Sequence, residues 1–180
     1  WWPPGSGKTT IARILAKITD SRFSEISAVN AGVSDIRKII EEARKLWASA
    51  KRRSILFIDE IHRFNKAQQD AVLPFVENGV IRLVGSTTEN PSFEVIPALR
   101  SRCQIFRLEY LSADDIRGIL QRAMVDKTRG INDTSFSITD EALGLIVSHA
   151  NGDARKALNI LEAAVSCQDG NAPVERRIIE

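Results

Sequence analysis

Histidine and cysteine are scarce in this chain of 180 residues, with two of each. The cysteines are Cys103 and Cys167, and neither has another Cys or a His at the spacing of a metal site. Two free thiols in a reducing compartment are therefore expected. Long apolar runs are lacking as well. None approaches the roughly 20 residues needed to cross a bilayer, so no partnership with a membrane is expected. The opening residues Trp1-Trp2-Pro3-Pro4 have neither the basic start nor the apolar stretch of a secretory signal. The chain reads as intracellular. No charge of one sign dominates, because 25 Lys and Arg against 23 Asp and Glu leave a net charge of +2. The one dense basic run, Lys51-Arg52-Arg53, reads as a solvated loop, and no surface of interleaved basic and aromatic residues stands out for stacking bases.

With 43% hydrophobic and 27% charged residues, the composition is that of an ordinary globular protein, enough for one core or one core plus a small appended domain. The chain has no initiating Met and opens inside a motif described below, so a fragment of a longer protein, truncated at both ends, is expected.

Apolar residues at 11, 14, 15 and 18 share one face of a helix over Thr9–Ile18. Phe23–Val29 alternates like a strand. Ser34 reads as the N-cap of a helix striped by Ile36, Ile39, Ile40, Ala43 and Trp47. Ser54–Asp59 is a continuous apolar run closed by charge, the pattern of a strand buried on both faces of a parallel sheet. Asn65–Glu77 predicts a helix that Pro74 should kink or end. Asn78-Gly79 marks a turn. Ile81–Thr87 and Cys103–Leu108 read as further strands. Strands alternating with helices imply an α/β layered sheet with right-handed crossovers. After Leu108 the pattern turns helical: Ser112-Ala-Asp-Asp115 resembles a capping box, and further helices start at Thr139 and at Gly152-Asp153. A boundary near 109 is expected, with an α/β core over 1–108 and a small helical domain over 109–180.

Two motifs carry chemistry. Pro3-Pro4-Gly5-Ser6-Gly7-Lys8-Thr9 matches the last seven positions of the phosphate-binding loop G-x-x-x-x-G-K-[ST]. Gly5 and Gly7 let the backbone curl so that consecutive N–H groups point at phosphate oxygens, and the helix that follows adds its positive end, which makes Pro4, Gly5, Ser6, Gly7, Lys8, Thr9 and Thr10 the expected nucleotide-binding loop. In this reading Lys8 contacts the β- and γ-phosphates of ATP and the Thr9 hydroxyl ligates Mg²⁺. The pattern's first glycine is replaced by Trp2. Ile55–Ile58 then leads into Asp59-Glu60, where Asp59 is the expected second anchor for Mg²⁺ and Glu60 the group that polarises the attacking water.

Gly5-Ser-Gly-Lys-Thr-Thr10, Phe57-Ile-Asp-Glu-Ile-His-Arg-Phe-Asn-Lys66, Gly85-Ser-Thr-Thr-Glu-Asn-Pro-Ser-Phe93, Ser101-Arg-Cys103 and Gly152-Asp-Ala-Arg-Lys-Ala-Leu-Asn159 resemble the replication-associated recombination protein A family. That family includes the Werner helicase-interacting ATPases and lies in the clamp-loader clade of AAA+ ATPases. The Glu89–Phe93 stretch and Asp126-Lys-Thr-Arg-Gly130 are its more specific marks. The resemblance implies an AAA+ core with an all-α lid. It also implies that Thr88 is sensor 1, with Asn90 a weaker candidate, that Arg102 is an arginine finger for a neighbouring subunit's ATP, and that Arg155 is sensor 2. It implies a strand ahead of the phosphate loop, lying between the Ile81 and Cys103 strands, an adenine-contacting segment and a C-terminal oligomerisation region, none of which is in these residues. Implied partners are DNA with single-stranded ends, gaps or forks, further copies of the chain, and single-strand-binding or replisome proteins. The implied location is the cytoplasm, associated with the nucleoid, if bacterial, or the nucleus if eukaryotic. Two other readings remain open: a Holliday-junction branch-migration helicase of the RuvB type, which shares Phe57–Arg63, and a non-hydrolysing AAA+ structural subunit, which Trp2 motivates. His62 reads as structural.

Overall fold

The computed structural model describes residues 1–126, 128, 130–131, 136–167 and 173–179. The chain folds as two units, Trp1–Trp2 with Gly7–Leu108 and Pro3–Ser6 with Glu109–Glu180. Pro3–Ser6, grouped by sequence with the first unit, packs with the second.

In the first unit, three strands form a parallel sheet in the order β1 (Arg22–Ser27), β2 (Ser54–Asp59), β3 (Ile81–Gly85). The central strand is the apolar run, and its Ile55, Leu56, Phe57 and Ile58 are no more than 3% exposed. Both faces are therefore covered, as a strand with no polar alternation requires. Phe57 stacks on Phe23 of β1 at 5.9 Å between ring centroids. The helices α2 (Val33–Ala50) and α3 (Lys66–Glu77) are the crossovers, α1 (Lys8–Ile18) precedes β1 and packs on β1 and β2, and Ile36, Ile40, Ala43 and Val72 close the core around Leu56, Ile58 and Ile81. The expected α/β architecture is borne out. Short helices α4 (Pro91–Glu94) and α5 (Pro97–Arg100) follow β3.

Three local expectations are corrected. The N-cap of α2 is Gly32, not Ser34, because the Asp35 carboxylate accepts the Gly32 N–H at 3.0 Å and closes the first turn from inside. Pro74 does not end α3, which runs on to Glu77. The helix is held from outside its own ladder: Gln69, 3% exposed, donates to the Phe64 and Glu94 carbonyls and accepts the Ile96 N–H. Cys103–Leu108 is not a strand. An extended segment becomes a strand only where a neighbour takes its backbone bonds. Here the Cys103 N–H turns back to the Arg100 carbonyl at 3.2 Å, and further along Trp1 takes up two bonds, its amino group donating to the Phe106 carbonyl at 2.6 Å and its carbonyl accepting the Leu108 N–H at 3.0 Å. Between this segment and β3 lies a groove of about 790 Å³ whose walls include Ile11, Leu15, Leu83 and Ile105, where the family resemblance implies another strand. On the apolar face of α1, Ile14 is half exposed and Ile18 more so.

The second unit contains α6 (Ala113–Val125), α7 (Asp140–Ala150), α8 (Ala154–Ser166) and the short α9 (Arg176–Ile179) around Ile116, Leu120, Ile146 and Leu161. Three of these helices open where the side chains predict. The Ser112 hydroxyl accepts the Asp115 N–H and the Asp115 carboxylate accepts the Ser112 N–H, both at 3.1 Å; the Ser112 hydroxyl also donates to that carboxylate at 2.6 Å, and this bond first, with the one from the Ser112 N–H, holds the Asp115 carboxyl below its ordinary value. Thr139 caps α7 through the Ala142 N–H at 3.2 Å, and Asp153 caps α8 through the Lys156 N–H at 3.0 Å. Of the family-specific stretch at 126–130, Lys127 and Arg129 lie outside the described residues. Among the described residues no helix is long and apolar enough to cross a membrane.

Candidate functional site

The phosphate-loop residues take the conformation their sequence demands. Gly5 and Gly7 sit at φ +65° and +85°, a region where a side chain costs about 1–2 kcal/mol. Gly7 is the N-cap of α1, whose first ladder bond runs from the Ile11 N–H to the Gly7 carbonyl at 2.9 Å. The amides of Thr9 and Thr10 precede that bond, so the start of α1 offers N–H groups and the positive end of the helix. A Cβ on Gly5 would lie 1.8 Å from an Asp153 carboxylate oxygen, and the Gly5 carbonyl accepts the Ala154 N–H at 3.3 Å. The loop glycine is thus packed against the opening of α8, which carries Arg155. Pro4 and Arg155 are exposed, and Ser6 donates to the Pro3 carbonyl at 2.8 Å.

Trp2, at the pattern's missing glycine, has φ +61°. The left-handed conformation a glycine would supply is present, but an indole side chain bears it. Trp2→Gly is therefore expected to gain about 1 kcal/mol and raise the melting temperature by roughly 2–4 °C in a fluorimetric scan. An unchanged or lower value would mean that the edge contact between the Trp2 and Trp1 rings, 6.3 Å between centroids, outweighs the strain.

The two acids close β2, against which α1 packs. Asp59 accepts a hydrogen bond from the Ser86 hydroxyl, which fixes one carboxylate oxygen. Glu60 has φ +56°, an uncommon conformation for a residue with a side chain, and its carbonyl accepts the Arg63 N–H at 2.8 Å as the chain enters a single 3-10 turn over Ile61–Arg63. Lys8 reaches the Trp2 carbonyl at 3.4 Å. No group of three or more His, Cys, Asp or Glu suited to a metal occurs among the described residues. Magnesium asks for less, since it keeps several waters and takes one or two protein oxygens beside substrate phosphates. The donor set of Thr9 and Asp59 fits that habit.

The remaining candidates fall in different settings. Thr88 follows β3 and is half-buried. Asn90 caps α4, accepting the Ser92 N–H at 3.0 Å, a local duty. Arg102 pairs with Glu77 at 2.6 Å and donates to the Ala98 carbonyl at 2.8 Å, with two-fifths of its side chain exposed. Reading the sequence alone missed Ser86, Thr87 and the setting of His62. Ser86 and Thr87 are 2% exposed, and His62 Nδ1 lies 2.9 Å from Thr87 Oγ1. A register count could have found Ser86: Ile58 pairs with Gly85, which puts the next residue of that strand beside Asp59.

A glycine-rich loop feeding a helix beside a parallel strand that ends in two acids defines a nucleotide-binding module of the P-loop class. More narrowly, the chain belongs to the ATPase family associated with various cellular activities (AAA), matched over residues 1–110. It is 51% identical over 162 residues to replication-associated recombination protein A of Escherichia coli K12, covering 90% of this chain and 36% of that protein. It is 41% identical over 178 residues to ATPase WRNIP1 of Dictyostelium discoideum, covering 99% of this chain and 20% of the other. The resemblance read from the motifs is borne out. Among solved structures, the Holliday-junction branch-migration motor RuvB of Thermotoga maritima is similar with a TM-score of 0.75 and 26% identity, over 98% of this chain and 57% of that one. The chain thus spans about a third or less of the length of these two relatives.

Proposed function

We propose that this chain is the ATP-hydrolysing core of a motor that works on DNA during replication-associated recombination and repair. The observation that carries the reading is the meeting of the two motifs, with the phosphate loop opening α1 and α1 lying on the strand that ends in Asp59 and Glu60. The amides of Gly5–Thr10 and the Lys8 ammonium hold the triphosphate. Thr9 and Asp59 hold Mg²⁺, which when bound neutralises charge on the phosphates. Glu60 polarises the attacking water. Thr88 senses the γ-phosphate. Arg102 serves the ATP of the next copy in a homo-oligomer, and Arg155 acts from a helical lid formed by 109–180. A planar, permanently charged guanidinium suits both tasks, because charge spreads over the phosphoryl oxygens as the bond breaks.

Work on DNA rests on the names of the relatives. ATP turnover of the protein, expressed from its full open reading frame, is expected to rise when duplex DNA with single-stranded ends is added. Equal rates with and without DNA would remove the DNA half of the proposal and leave the ATPase half. The likeness to RuvB favours a second reading, junction branch migration, and ATP-dependent separation of a synthetic four-way junction into duplexes, with no strand cut, would select it. Measurable turnover in either assay disposes of an inert structural subunit.

A further inference from the structure

His62 stands two residues beyond Glu60, and its imidazole is almost wholly enclosed, 5% exposed. Its two nitrogens face different groups. Nδ1 lies 2.9 Å from Thr87 Oγ1, and that hydroxyl in turn accepts the Glu89 N–H at 2.9 Å. Nε2 lies 3.3 Å from Glu60 Oε2 and 3.3 Å from Glu89 Oε1. Ionised carboxylates only accept, so the proton on this side belongs to Nε2. One N–H shared between two acceptors at that distance gives neither a full-strength bond. The ring nevertheless ties Glu60 to the end of β3, where Ser86 already holds Asp59. Asp59 is thus bonded from the segment that follows β3, and beside Glu60 stands an imidazole bonded to that same segment.

We propose that His62 is a positioning residue for Glu60. Its Nε2–H holds one oxygen of the Glu60 carboxylate and leaves the other for the attacking water, while Thr87 fixes the ring plane. The proposal rests on the reading of Glu60 as the water-polarising group. A buried histidine with a purely structural task would instead matter through Thr87, by pinning the 3-10 turn to β3.

Two substitutions separate these tasks, because a Gln amide reaches about as far as Nε2 and an Asn amide about as far as Nδ1. In the protein expressed from its full open reading frame, His62→Asn is expected to lower kcat by about 10- to 100-fold, the scale of losses from small misplacements of reacting groups. Affinity for a fluorescent ATP analogue should stay within about threefold of wild type. His62→Gln is expected to recover most of the lost rate. In a Glu60→Gln background, His62→Asn should cost nothing further, because the carboxylate it positions is gone. If Asn prevents folding in a thermal scan, His62→Met, which fills the space without a donor, takes its place. A wild-type kcat in His62→Asn, a rate in Asn at or above that of Gln, or an undiminished loss in the Glu60→Gln background overturns the positioning role while the ATPase reading stands. Absence of turnover in the wild-type protein overturns the ATPase reading and the proposal with it, whereas full turnover in Glu60→Gln alone overturns the reading of Glu60 as the water-polarising group, and the proposal with it, while the ATPase reading stands.

Discussion

Glu60→Gln is expected to leave MgATP bound and to lower its turnover by about 10²–10⁴-fold, the usual contribution of a positioned general base. The amide has nearly the volume of the carboxylate, so the turn that Glu60 enters at φ +56° has no steric reason to change. The neighbours also remain satisfied: the His62 Nε2–H finds the amide oxygen, and the Ser86 hydroxyl still donates to Asp59. What disappears is an anionic acceptor for a water proton. Single-turnover hydrolysis measured beside a nucleotide titration checks both halves. A rate within about threefold of wild type, a barrier change under 1 kcal/mol, would require another base. Loss of binding together with rate would mean that the acid supports the fold or the phosphate site instead.

Gly5→Ala carries the second large effect, and it acts through backbone geometry. At φ +65° an added Cβ costs about 1–2 kcal/mol. It would also meet the Asp153 carboxylate at 1.8 Å, so that side chain must leave the position from which it caps α8 through the Lys156 N–H. Loss of an N-cap costs about 1 kcal/mol more. Together these exceed about 2 kcal/mol, enough to drive the loop out of its phosphate-binding curl. The expected result is MgATP affinity reduced by roughly 100-fold, with each tenfold worth about 1.4 kcal/mol, and a melting temperature lower by roughly 5–10 °C. Coupling gives a sharper check. Asp153→Ala alone should cost about the value of the cap, and it should cost less when added to Gly5→Ala, since the two changes share one overlap. Strict additivity would show that the loop and α8 do not depend on each other.

Much of this molecule is readable one segment at a time. The run Ile55–Ile58 announces a strand covered on both faces because nothing polar interrupts it. Ser112, Thr139 and Asp153 announce helix starts because the capping bonds span only three residues. The glycines of the phosphate loop are equally local, their positive φ written in their lack of a side chain. Failures came where an element depends on something distant. Cys103–Leu108 has the composition of a strand and the backbone neighbours of a loop. Pro74 breaks the local rule for α3, yet the helix runs on to Glu77, where the Asn78 N–H donates to the Pro74 carbonyl, and Gln69 is anchored to Phe64, Glu94 and Ile96 from outside it.

The site divides along the same line. Sequence alone determined which residues could grip a phosphate and which acids could serve it, since both motifs are short and their chemistry follows from residue type and spacing. Tertiary structure alone decided how those acids are held, because β3 comes beside β2 only through the parallel register that pairs Ile58 with Gly85. That register sets Ser86 on Asp59, and it brings Thr87 and Glu89 to an imidazole some 25 residues earlier in the chain. Such a distance is closed by packing of the sheet, and no periodicity within either segment encodes it.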